Sequence, residues 1–124
     1  MLKWAYLGAG GVLGTFARYA LSGFVCRLLG TGFPYGTLMV NLIGCFCIGF
    51  FAVLAEERFS IGPDMRLFLM AGFCGAFTTF STFMLENADL IKNTDGYKAL
   101  GYIVVSVVAG FLLFRLGVRV GGLV

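Results

Sequence analysis

Gly72-Phe73-Cys74-Gly75-Ala76-Phe77-Thr78-Thr79-Phe80-Ser81-Thr82-Phe83 sits inside a run, Leu67 to Leu85, that carries no charge. A membrane-spanning helix needs roughly 20 mainly apolar residues, so the run is a candidate span. Its centre suits a regular helix poorly. Glycine loosens the backbone, and β-branched threonine disfavours the helical form. An interruption between Gly75 and Thr79 leaves carbonyls and N–H groups unpaired at membrane depth, where they need a cavity, a neighbour or an ion. Broken helices of this kind commonly turn carbonyls toward cations and N–H groups toward anions.

Outward from this stretch, the pattern of charge-poor runs repeats. Between Trp4 and Val25 the only charge is Arg18; Tyr35 to Ala55 has none, and Ala99 to Phe114 has none. The last run, bracketed by Lys98 and Arg115, is short for a span unless Arg115 snorkels and Leu116 to Val118 join it. The charges collect in the links: Glu56, Glu57, Arg58, Asp64 and Arg66 between the second and third runs, and Glu86, Asp89, Lys92, Asp95 and Lys98 between the third and fourth. The 124-residue chain is 60% hydrophobic and 12% charged, against about 25% charged in soluble domains. The expectation is an all-α membrane protein with four transmembrane helices and a break in the third. It forms a single domain over 1–124, surrounded by membrane lipid and with no nucleic-acid partner.

The first run begins after Lys3 and contains Ala20-Leu21-Ser22 before Gly23, a loose likeness to a signal cleavage site. Arg18 late in the run and three further spans argue for a retained helix. Four spans put both termini on one side with Lys3, Arg58, Arg66, Arg115 and Arg119, against Arg27, Lys92 and Lys98 on the other. That bias is weak, so charge alone leaves open a fixed orientation or insertion both ways. Cys26, Cys45, Cys47 and Cys74 form no C-x-x-C pair, and no histidine is present to complete a zinc site. Gly10 with Gly14, and Gly117 with Gly121, make G-x-x-x-G spacings that let helices approach closely.

Polar residues inside the runs are the candidate functional groups. Asn41 lies mid-span and must face protein or water; Thr37, Asn41, Gly44 and Ile48 share a helical stripe. It serves either as a packing amide or as a donor lining a wet path. Tyr102, Ser106 and Gly110 share a face of the fourth run, though each hydroxyl can also bond its own backbone. Arg18 can snorkel or draw anions to a pore mouth. Phe80 and Phe83 can turn their positive ring edges toward an anion beside the hydroxyls of Ser81 and Thr82.

Three motifs, in order along nearly the whole chain, resemble the Fluc/CrcB fluoride channels. Gly10 to Tyr19 resembles the family's first-helix motif, Gly36 to Gly44 its second, and Gly72 to Phe83 its third-helix signature. Thr15 and Cys45 depart from the usual alanine and serine. The resemblance implies an antiparallel, dual-topology homodimer with two pores. Broken third helices cross at the two-fold axis around a structural sodium ion held by main-chain carbonyls, at positions matched by Gly75 and Thr78. It implies that Asn41, Phe80, Ser81, Thr82, Phe83, Tyr102 and Ser106 line the fluoride path, and that Arg18 stands near the pore entrance. The implied activity is passive fluoride export across a bacterial inner membrane. Nothing in the residue spacing itself selects fluoride over chloride.

Two other readings compete. A small proton-coupled multidrug exporter also has four helices, but it generally needs a membrane-embedded carboxylate, and all 6 acids here fall in or beside links. A non-transporting membrane scaffold would leave Asn41 and the hydroxyl cluster without use. With no histidine and no nucleophile–base pair, enzyme chemistry is not expected.

Overall fold

The computed structural model describes residues 1–57, 61–93 and 95–124; Arg58, expected in the second link, lies outside them. Helix α1 is Leu2–Leu29 and α2 is Tyr35–Glu56. The third span, Pro63–Lys92, is composite. It opens with a turn, α3 (Pro63–Arg66), and widens into a π-helical stretch, Leu67–Cys74. It closes its first half with α4 (Gly75–Phe77) and resumes as α5 (Phe80–Lys92). Helix α6, Gly96–Leu123, is the fourth span. All four are long and apolar enough to cross a membrane, and the described residues contain no strand. The protein is an all-α, multi-pass membrane protein whose third span is broken.

Local chemistry sets the ends. Gly30 stops α1 with φ 83°, a left-handed conformation that glycine adopts without strain, and its N–H closes on the Cys26 carbonyl. Pro63 starts the third span, where its missing N–H costs nothing. The fourth span exceeds the charge-free run. It continues through Arg115 and Arg119, both exposed, to Leu123, as long snorkelling side chains permit.

Lipid is as apolar as leucine, so close packing and not water exclusion must join the helices. The glycines supply that packing within the chain. A Cβ on Gly10 or Gly14 would land on the backbone of Phe68 or Phe73, so α1 lies directly along the π stretch. A Cβ on Gly117 would strike the Phe46 backbone, and one on Gly49 the Phe114 backbone, which joins α2 to α6. Both G-x-x-x-G spacings are therefore spent on intramolecular contacts. Gly44 on α2 faces the Thr78 side chain and brings α2 to the break. Phe83, Leu90, Ala99 and Tyr102 form a small buried core with Phe33 and Leu38 packed against it.

Candidate functional site

The break falls at Thr78 (φ −87°, ψ 156°) and Thr79 (φ −149°, ψ 115°), both extended, inside the interval expected from the sequence. In an unbroken helix, the Thr79 and Thr82 amides would donate to the carbonyls four residues back, those of Gly75 and Thr78. Both donors are diverted. Thr79 N–H donates to Asn41 Oδ1 at 2.8 Å, and Thr82 N–H donates to Thr79 Oγ1 at 3.3 Å. Asn41 Nδ2 returns a bond to the Thr79 carbonyl at 3.2 Å. The Asn41 amide thus replaces a missing helical turn, a use that answers the cost of an amide in hydrocarbon.

The rest of the break is accounted for group by group. The Cys74 carbonyl accepts from Thr78 N–H at 3.1 Å and from Thr78 Oγ1 at 3.0 Å. The Ala76 carbonyl accepts from Arg18 Nε at 3.1 Å. Thr79 caps α5, and its hydroxyl donates to Thr82 Oγ1 at 3.0 Å, which leaves the Thr82 hydroxyl hydrogen unspent. The carbonyls of Gly75, Phe77 and Thr78 are left without their helical donors.

Six of the residues singled out from the sequence line one cavity of about 390 Å³: Asn41, Gly75, Thr78, Phe80, Phe83 and Ser106. Cys45, Cys74 and Val107 complete much of its wall. The Ser106 hydroxyl is buried and has no partner among the described residues. Phe80 is 73% exposed although it borders this cavity, whereas Phe83 is 6% exposed. Their ring centroids lie 5.8 Å apart with planes tilted by 45°.

Ser81, Thr82, Tyr102 and Arg18 are not part of that wall. Ser81 is exposed on α5. Arg18 reaches the end of α4. Tyr102 is fully buried behind Phe83 and meets it edge-on at 4.8 Å and 69°. On its other side it meets Phe33 edge-on at 5.3 Å and 72°. Phe33 lines a second cavity, of about 320 Å³, with Cys26, Thr31, Glu86, Asp89 and Asp95. The Phe83–Tyr102–Phe33 stack therefore stands between the two cavities, the inner being the one at the break.

Glu86 corrects the sequence reading. It is not in a link but on α5, half-buried within the third span. Thr37 Oγ1 donates to its Oε1 at 2.6 Å, and Tyr102 Oη donates to its Oε2 at 2.8 Å. The charge-free run stopped the expected span at Leu85, so Glu86 was assigned to water. Its place three residues after Phe83 and four after Thr82, on their helix face, was the available signal. Two hydroxyls satisfy a carboxylate well enough to keep it there.

The family described as CrcB-like protein, Camphor Resistance (CrcB), matches residues 5–118. A relative from Maridesulfovibrio salexigens named "Fluoride-specific ion channel FluC" is 44% identical over 94% of this chain and 98% of its own length. A protein of the same name from Dehalococcoides mccartyi is 44% identical over 94% and 90%. Another from Desulforapulum autotrophicum is 39% identical over 98% of each.

Proposed function

The chain belongs to the CrcB-like family, and on that premise we propose that it is a fluoride-specific ion channel, a transport protein and not an enzyme. Its place is the plasma membrane, which its four spans cross. The single observation that carries the reading at the site is the broken third span. It is held open by Asn41 and faces a cavity that also holds Phe80, Phe83 and the unpartnered Ser106 hydroxyl.

A small, strongly hydrated anion enters such a place only where donors replace water, and it leaves only if no contact is strong enough to trap it. Asn41 has a second amide hydrogen beyond the one spent on Thr79. Ser106 and Thr82 each retain a hydroxyl hydrogen. The edges of Phe80 and Phe83 add weak positive potential. Tyr102 belongs to the path as the ring that separates the inner cavity from the outer one, with its hydroxyl held by Glu86. Ser81 lies one residue beyond Phe80 on an exposed face. These groups are numerous, individually weak and mostly uncharged, which suits passage better than storage.

The assembly in this reading is an antiparallel homodimer with two pores. One copy leaves Phe80 largely uncovered beside a polar break, and a second copy supplies the missing wall. The residues at the break fit a small structural cation such as sodium. The carbonyls of Gly75 and Thr78 have lost their helical donors. A side chain added at Gly75 would meet nothing nearer than the Met70 carbonyl at 3.8 Å. Two copies would offer four carbonyls, and the ion would supply fixed positive charge that offsets their crowding. Fluoride then leaves the microbial cytoplasm down its own gradient.

Glu86 gives the proton-coupled exporter the carboxylate it lacked in the sequence. Both of its oxygens, however, accept hydroxyl bonds, and a scaffold would need none of these groups. The deciding experiment is passive efflux from vesicles holding the purified protein. Fluoride efflux far above chloride, independent of a proton gradient, is expected. Equal efflux of both anions, or none without a proton gradient, overturns the channel reading.

A further inference from the structure

Arg18 was read from the sequence as a snorkelling residue or an anion lure. The bond it makes points to a further role. Gly10 and Gly14 seat α1 against the backbone of Phe68 and Phe73. One turn further along α1, Arg18 meets the end of α4, where its Nε donates to the Ala76 carbonyl at 3.1 Å. In an unbroken helix that carbonyl would accept from the Phe80 amide, which here opens α5 beyond the break.

The last carbonyls of a helix lack internal donors and carry the negative end of its dipole, so a cation there is stabilising. The Cys74 and Thr79 carbonyls are satisfied by Thr78 and Asn41. Without Arg18, the Ala76 carbonyl would join those of Gly75, Phe77 and Thr78 as a further acceptor without its helical donor. We propose that Arg18 is the C-terminal cap of the first half of the third span. As a positioning residue it holds the Ala76 carbonyl on α1 and so keeps it apart from the carbonyls of Gly75 and Thr78. It acts through its Nε–H bond and not through long-range attraction of anions.

The side-chain chemistry separates these two roles. Glutamine places an amide nitrogen the same number of bonds from Cα as Arg Nε, so Arg18→Gln keeps a donor and removes the charge. Arg18→Leu removes both. The first measurement is amide hydrogen exchange in the full chain reconstituted in lipid. A hydrogen bond from a charged donor is worth enough to change local opening about tenfold. The Thr78 and Thr79 amides should exchange about tenfold faster in Arg18→Leu than in the unaltered protein, and Arg18→Gln should stay within about threefold of it.

Fluoride efflux through Arg18→Gln should exceed that through Arg18→Leu by about tenfold. If Arg18→Leu fails to assemble, the exchange rates of Arg18→Gln alone decide the matter. Exchange unaltered in Arg18→Leu, or accelerated in Arg18→Gln as much as expected for leucine, overturns the cap. Glutamine and leucine variants with equally poor flux do the same and restore the role of charge. A third readout rests on the proposed cation: the sodium concentration giving half-maximal thermal stabilisation should rise in Arg18→Leu and less in Arg18→Gln. No sodium response in the unaltered protein rejects the cation reading, while the exchange comparison still decides the cap.

Discussion

The α2–α6 pair and the third span solve the same problem in opposite ways. Helices α2 and α6 run unbroken, and they join through Gly49 and Gly117 with backbone close to backbone. The third span gives up that self-sufficiency at Thr78 and Thr79. It borrows Asn41 from α2 and Arg18 from α1 to satisfy what it exposes. The self-paired region can only hold shape. The borrowed region has groups left over, and these can meet an ion. The proposed ion path sits where helical pairing is incomplete.

The contrast is broken most directly at Asn41. Asn41→Asp removes the donor to the Thr79 carbonyl and places a carboxylate beside it. Fluoride efflux should fall by about a hundredfold, an effect on the order of 3 kcal/mol, with the elution position on size-exclusion chromatography unchanged. Flux within tenfold of normal would mean that the break does not depend on α2. On the packed side, Gly117→Ala forces α2 and α6 apart. The expected cost is about 2 kcal/mol of stability, read as a lowered thermal midpoint in lipid, with the fluoride-to-chloride ratio unchanged. A changed ratio would show that the two regions are not separable.

Phe80→Ile and Phe83→Ile sharpen the comparison within the broken region. Each keeps apolar bulk and loses the ring edge, and each should lower fluoride flux about tenfold. Phe80 is the cleaner test, because it is 73% exposed and its replacement leaves no internal void. Near-normal flux in Phe80→Ile would shift the burden to Asn41, Ser106 and Thr82. The smallest effect belongs to Thr79→Ala, which removes the cap of α5. It should destabilise by about 1 kcal/mol, with Thr79→Ser close to normal in the same melt.

Much of this was legible in the sequence, for physical reasons. Charge is costly in lipid, so runs without it mark spans, and glycine beside β-branched residues marks weak helix, so the break falls between Gly75 and Thr79 as expected. Asn41 stood out because an amide at mid-membrane demands partners. Three features did not show. The π-helical widening over Leu67–Cys74 occurs in a plain apolar string, where α1 lies against the backbone of Phe68 and Phe73. Glu86 was hidden because its partners, Thr37 and Tyr102, are remote in the chain. Arg18 was singled out, but its acceptor, 58 residues away, belongs to a backbone that no sequence motif reports.

The two donors that close the break have a further property. Arg18 and Asn41 both precede Ala76 and Thr79 in the chain. A membrane protein is delivered to the bilayer from its N-terminus onward, so the first two spans are in lipid before the third emerges. The broken segment therefore arrives last among the parts that serve it. Biogenesis meets the costliest moment of folding with both partners already waiting.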